Sequence, residues 1–273
     1  MMQRIWALTR YFTQRLFRSL AGLLYVILTL AFWLLLFNPR QQTPDAAYYI
    51  LVIGVFGAGM AFLVTLTIST RANQAENYPW LVRLPSRVEY MTAVFLSTLL
   101  VTFILQMGLA LLALFNGPEL TFSRLIEIPP IWTSLVIITA VLALHATDLI
   151  SSGWSRVYLF GVLAIMLFAQ GITNNNVRNI LTSLNRFASN QGWLGTGEMI
   201  ANYSATLNNN NSNIIGRLFS LLFWPFQAIA EATANGTFTT AQALAPAILL
   251  LYAAILYMLA ADLFANKDLF FTE

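Results

Sequence analysis

From Leu23 to Phe37 the chain is apolar on every side, with Thr29 the single small polar residue and no charge. A water-soluble fold of this length has no interior for many such segments. A barrel strand would alternate apolar and polar residues. The run needs lipid as its solvent, and there a helix satisfies the backbone internally. Similar runs recur at roughly Ser19–Phe37, Ala47–Ile68, Val88–Phe115, Ile131–Leu149, Val157–Ile172 and Leu244–Phe264. Each approaches the length that a hydrocarbon layer requires. Composition agrees: 58% of residues are apolar and 9% charged, against about 25% charged in soluble domains. The expected fold is all-α, a polytopic membrane protein with six transmembrane helices over residues 19–273.

The segment ahead of the first span has a different pattern. At about 100° per residue, Arg4, Arg10, Gln14, Arg15 and Arg18 share one arc, and Ile5, Phe12 and Leu16 lie opposite. Trp6 and Phe17 flank the apolar side. Residues 1–18 therefore predict an amphipathic cytoplasmic helix in the headgroup layer. The plainer reading is a basic flank that only sets orientation. The first apolar run starts late and ends at Asn38-Pro39-Arg40, so no cleavable signal peptide is expected.

Arginines choose the sidedness. They are dense in residues 1–18, in the loop holding Arg71, Arg83 and Arg87, and at Arg156, with Lys267 in the tail. Arg40, Arg124, Arg178, Arg186 and Arg217 are spread over far more residues. The dense set is expected inside. That places both termini in the cytoplasm and the chain in the cell (plasma or inner) membrane. Residues 173–243 form the long non-spanning stretch, expected outside. Within it, Ile214–Ala234 is apolar but broken by Arg217 and Trp224-Pro225, which predicts a re-entrant or interfacial hairpin.

Several chemistries are excluded by supply. There is no cysteine, so disulfides, thiolate catalysis and Cys-ligated zinc are out. The single lysine, Lys267, does not follow a glycine-rich turn, so the chain is not its own P-loop ATPase. A net charge of +3 is too small to suggest nucleic acid. His145 and Asp148, three apart near the end of the fourth span, would share a helix face. They read as packing and boundary residues before they read as a functional pair. Gly54, Gly57 and Gly59 in the second span suit close helix packing. No catalytic, cofactor-binding or metal-ligating set is expected.

The loop of residues 70–87 carries more information. It is charged at Glu76, Arg83 and Arg87, yet it concentrates Tyr78, Trp80, Leu81, Val82 and Leu84. Apolar groups framed by charge suit a docking surface. They equally suit a segment anchored in headgroups by Tyr78 and Trp80.

Glu76 followed by Trp80-Leu81-Val82-Arg83-Leu84-Pro85-Ser86-Arg87-Val88-Glu89-Tyr90 resembles the coupling segment of type-2 ATP-binding-cassette transporter permeases. One fewer residue separates Pro85 from Ser86, and Asn77-Tyr78 stands where that family often has Gly-Thr. Leu263-Phe264-Ala265-Asn266-Lys267-Asp268-Leu269 is similar to the family's ending. So is the order of parts: an amphipathic helix, six spans and a short helix between spans two and three. The resemblance implies a permease subunit paired with a second permease copy or homologue and served by separate ATPase subunits that bind ATP. It implies an exporter that is not itself an enzyme, with Glu76, Asn77, Tyr78, Trp80, Leu81, Arg83, Leu84 and Pro85 as the ATPase-coupling interface. Arg4, Arg10, Arg15 and Arg18 would belong to the interfacial helix. A secondary transporter or channel, an intramembrane enzyme and a non-transporting scaffold are the competing readings.

Sidedness is directly testable. Reporters fused at Met1 and Glu273 should both appear cytoplasmic, and one at Asn209 should appear on the opposite side. A cytoplasmic signal from Asn209 would overturn the six-span arrangement.

Overall fold

The computed structural model describes residues 2–37, 45–115, 117–118, 120–150 and 214–266. The chain divides into two compact units, one of Met1–Arg156 with Pro225–Glu273 and one of Val157–Trp224. The described part of the second unit is residues 214–224 of one helix. The remaining description concerns the first unit.

In chain order the helices are α1 (Met2–Phe17), α2 (Leu20–Leu36), α3 (Ala46–Ala72), α4 (Tyr78–Arg83), α5 (Arg87–Leu114), α6 (Phe122–His145), α7 (Ile214–Asn235) and α8 (Ala245–Asn266). Single 3-10 turns at Ala75–Asn77 and Gln242–Leu244 lead into α4 and α8. Among the described residues there is no strand. The long helices α3, α5, α6 and α8 are apolar enough to cross a membrane. The 17 residues of α2 rise about 26 Å, close to a hydrocarbon layer of about 30 Å. The protein is all-α and membrane-embedded. The expected span Val157–Ile172 lies outside the described residues.

Local chemistry sets most of the ends. Ser19 caps α2, Asp45 caps α3 through the Tyr48 amide at 2.6 Å, and Ser86 caps α5 through the Val88 amide at 3.3 Å. Each supplies an acceptor to an otherwise unpaired amide of a first turn.

Three boundaries differ from the sequence reading. Helix α3 runs on to Ala72 rather than ending near Ile68. Helix α6 begins at Phe122 rather than Ile131 and carries Pro129 and Pro130 inside it. The added turns are held within the helix, where Arg124 pairs with Glu127 at 3.0 Å, and from outside, where Arg124 donates to the Thr233 carbonyl at 3.3 Å. Those contacts offset the backbone bonds that the prolines remove. Ile214–Asn235 is one helix through Pro225 rather than two arms broken at Trp224-Pro225. Its Pro225–Asn235 half packs beside α6 and α8, with Phe226 against the cluster of Ile138, Val141 and Ala253. It stops at Gly236, whose φ of +81° suits glycine, with the Gly236 amide bonded to the Ala232 carbonyl.

Helix α3 lies along both α5 and α6, α8 packs on α6, and α1 crosses α5. Small residues bring the axes together. Ala61, Val136 and Ala140 are fully buried beneath Phe95, Leu99 and Phe103. The Gln106 amide occupies the space a side chain at Gly57 would need, and a Cβ at Gly54 would meet Leu135 at 3.3 Å. Gly59 faces open space, so the packing role expected of it belongs to the other two. The outer faces are apolar: Leu23, Ile27 and Leu35 on α2, and Leu251, Ile255 and Met258 on α8, are all exposed. In water such faces would be untenable. In lipid they cost nothing.

Helices α1 and α2 meet at an elbow of 72°. Gly22 makes it possible, because a Cβ there would overlap the Leu16 carbonyl and lie 2.8 Å from the Phe17 Cα. Backbone cannot swing aside as a side chain can. Gly22→Ala should therefore destabilise the protein by about 1–3 kcal/mol in detergent thermal unfolding. Gly59→Ala, into open space, should leave the melting temperature unchanged or raised.

Candidate functional site

One end of the bundle carries α4, the connection that leads into it, and the flank of α1. We call it the proximal end. The chain leaves α3 at Ala72, turns at Ala75–Asn77, forms α4 and enters α5 at Arg87. Pro79 sits in the first turn of α4, where its missing amide proton is no loss. Pro85 follows the helix and biases Leu84 to the extended backbone it adopts, with ψ 138°. A six-residue helix has little stability of its own, so its neighbours must hold it.

They hold it from two sides. Asn77 is buried and donates its side-chain amide to the Arg71 carbonyl at 2.7 Å, closing the end of α3 onto the turn. Tyr90 is buried and donates its hydroxyl to the Ala72 carbonyl at 2.7 Å. That carbonyl lies in the last turn of α3, where no intrahelical donor remains. On the second side is α1. Arg15 forms an ion pair with Glu76 and donates to Gln74 at 3.4 Å, while Arg71 donates to the Arg15 carbonyl at 3.4 Å. Tyr11 places its ring 6.4 Å from that of Trp80 and accepts from Arg15 at 3.2 Å. The hydrogen bond that Arg15 donates to Glu76 raises the Arg15 pKa above its ordinary value, with Tyr11 adding to the effect.

The residues of the expected coupling interface divide by direction. Trp80 is 51% exposed, Val82 62%, and Tyr78, Arg83 and Pro85 are exposed beside them. Leu84 is half-buried. Leu81 is 5% exposed, and Asn77 is buried too. These two fasten the loop to the body and do not face outward with the rest, since a short helix must bury one side to stay folded. Glu76 is taken up by Arg15.

The interfacial-helix arginines also separate. The apolar face expected from Ile5, Phe12 and Leu16 is the packed face, with Leu8, Phe12 and Leu16 buried. Its cover is α5: Phe12 meets Tyr90 edge to face at 5.6 Å, and Ser97 donates to the Thr9 carbonyl at 3.2 Å. Arg4 reaches the buried Glu89 at 3.7 Å, and Arg15 reaches Glu76. Arg10 and Arg18 are exposed and have no acidic partner among the described residues.

Glu89 and Tyr90 are the parts that residue-by-residue reading missed. Both stood inside the motif string, yet nothing in that string says that a carboxylate in the first turn of α5 is buried, or that the tyrosine closes α3.

His145 and Asp148 do not lie on one continuous helix face. Helix α6 ends at His145, and the chain turns through residues 147–150. His145 is buried with Nε2 3.0 Å from the Leu256 carbonyl of α8, while Asp148 is exposed. Among the described residues no three His, Asp or Glu side chains form a metal-ligating group. Deeper in the bundle, Gln106 donates to the Ile53 carbonyl at 3.2 Å and Trp132 to the Ile50 carbonyl at 2.9 Å, which ties α5 and α6 to α3.

No protein-family model, curated protein or solved structure matches the chain. What defines the site is its own geometry: a short amphipathic helix between two membrane-crossing helices, braced from one side by α1.

Tyr90→Phe isolates the closure of α3. It removes one hydroxyl and leaves the Ala72 carbonyl without its partner, which should cost about 1–3 kcal/mol of stability. Thermal unfolding of purified protein measures it, and a variant as stable as the parent would mean the bond contributes nothing.

Proposed function

We propose that this chain is the permease subunit of an ATP-driven transporter, an exporter, whose α4 docks on a separate ATPase subunit. The observation that carries the reading is the exposure of Tyr78, Trp80 and Val82 on a helix whose other side is fixed through Leu81. Aromatic and aliphatic groups on a rigid support, with Arg83 at the edge, have the composition of a protein-binding patch. The likeness of Glu76–Tyr90 to the type-2 permease coupling segment supplies the class of partner.

In this reading the proximal end is cytoplasmic, in keeping with the arginine distribution. The ATPase binds and hydrolyses ATP, and this chain holds no nucleotide. The exposed faces of α2, α5 and α8 meet lipid and a second permease copy. Closure of the ATPases pushes on α4. The push passes to α3 through Asn77 and Tyr90, and to α1 through Arg15. Because α4 is braced on two sides, it moves these helices with it.

The double variant Trp80→Ala with Val82→Ala removes the outward anchors and spares the inward ones. Loss of an interface anchor commonly costs about 2 kcal/mol, roughly a 30-fold weaker complex. Co-purification with the ATPase and substrate-stimulated ATP hydrolysis in lipid should both fall, while the variant inserts and elutes as the parent does. Unchanged binding and coupling would mean that α4 is a headgroup anchor instead.

A further inference from the structure

Helix α1 has three sides, and the protein uses two of them. Leu8, Phe12 and Leu16 are buried against α5 and the body. Arg4, Tyr11 and Arg15 turn to Glu89, Trp80 and Glu76. The third side carries Trp6, Arg10 and Phe17, and Arg18 continues it just past the helix end through its amide bond to the Gln14 carbonyl; all four are exposed. We infer that this third side is a binding strip for anionic phospholipid, with the Trp6 and Phe17 rings in the acyl boundary and the Arg10 and Arg18 guanidinium groups on lipid phosphates.

The elbow sets the level. Helix α2 is a membrane-length apolar rod, and α1 departs from it by 72°. It therefore lies closer to the plane of the bilayer than to its normal. The neighbours of α1 fix its roll. Arg15 and Tyr11 touch the turn before α4 and α4 itself, beyond the end of α3, whereas Thr9 touches Ala93 and Ser97, two turns into α5. The first pair marks the side facing away from the membrane, and Thr9 marks the side facing into it. At about 100° per residue, Trp6 and Phe17 follow Thr9 around the helix toward the membrane side. Arg10 comes next and Arg18 beyond it, toward the solvent side. Aromatic rings below and cations at headgroup level are the arrangement an interfacial helix needs.

Charge picks the lipid. The first acidic residue of the whole chain is Asp45, so α1 has no carboxylate of its own. The two acids that reach it, Glu89 and Glu76, are engaged by Arg4 and Arg15. Arg10 and Arg18 lie about 12 Å apart along the axis, too far to share one phosphate. Each takes its own headgroup. A zwitterionic lipid would also supply phosphate, but its attached cation offsets the attraction, whereas an anionic lipid adds net charge. The inference depends on the membrane class and the elbow and is independent of any ATPase.

The test uses the full chain in nanodiscs, with brominated lipid as a quencher of tryptophan fluorescence. The part of the signal that Trp6→Phe removes reports this site. In the parent, brominated phosphatidylglycerol should quench that part more effectively than brominated phosphatidylcholine. The preference should shrink at high salt. It should fall by about fivefold for each arginine removed in Arg10→Gln, Arg18→Gln and their double variant. Arg83→Gln, an exposed arginine on α4, should retain it. Size-exclusion elution and melting temperature show that the glutamine variants are folded. Equal quenching by the two lipids, or a preference that survives the double variant, would overturn the proposal. So would no quenching by either lipid, which would mean protein covers the strip.

Discussion

A carbonyl oxygen that already accepts one helical hydrogen bond can accept a second. In a bilayer, where water is absent, that spare capacity is the main acceptor open to a buried donor. The interior of this protein depends on it. Thr65, Thr98 and Thr233 each return their hydroxyl to the carbonyl four residues earlier in their own helix. Tyr49, Tyr90, Gln106 and Trp132 reach instead to a carbonyl of another helix. The first kind keeps the helix self-sufficient. The second kind ties helices together where the hydrophobic effect gives no preference between a helix neighbour and a lipid tail.

The proximal end uses instead the acceptors that a helix terminus leaves open. The last carbonyls of α3 have no donors within the helix. Ala72 receives the Tyr90 hydroxyl and Arg71 receives the Asn77 amide. Satisfying the end of one spanning helix thereby fixes the turn, and fixing the turn presents α4. The brace from α1 completes the arrangement. Arg15 is partly exposed and Glu76 more so, so their pair is screened and adds little stability. Its value is positional, since it keeps α1 and α4 in one register. An element held this way suits the transmission of force, which is the role proposed for it.

The spanning helices were largely legible in the sequence. The runs at Ser19–Phe37, Ala47–Ile68, Val88–Phe115 and Leu244–Phe264 each fall on a helix within a few residues. Helix α6 shows where the signal failed. The apolar run starts at Ile131, yet the helix begins at Phe122, and Arg124 ties the turns before Pro129-Pro130 to the distant Thr233 carbonyl. Ile214–Asn235 failed for a similar reason at Pro225. The shared helix face expected for His145 and Asp148 assumed a helix that continues, and it ends at the first of them. A proline or a spacing constrains its own backbone only, while the neighbour that outweighs it lies far away in the chain.

The sequence by itself determined that this protein is helical and lives in lipid, because uncharged apolar runs of membrane length have no other stable environment. It also determined that α1 has one apolar and one basic side, and that the loop before α5 is too aromatic for a plain linker. Tertiary structure alone decided what those sides meet. It turned the apolar side of α1 onto α5, shared its arginines between Glu89, Glu76 and the outer strip, and buried Leu81 while leaving Trp80 exposed. Periodicity places residues around one helix axis. Which of two apolar solvents, a neighbouring helix or the lipid, covers each face depends on the fit between helices, and a single helix carries no information about its neighbour's shape.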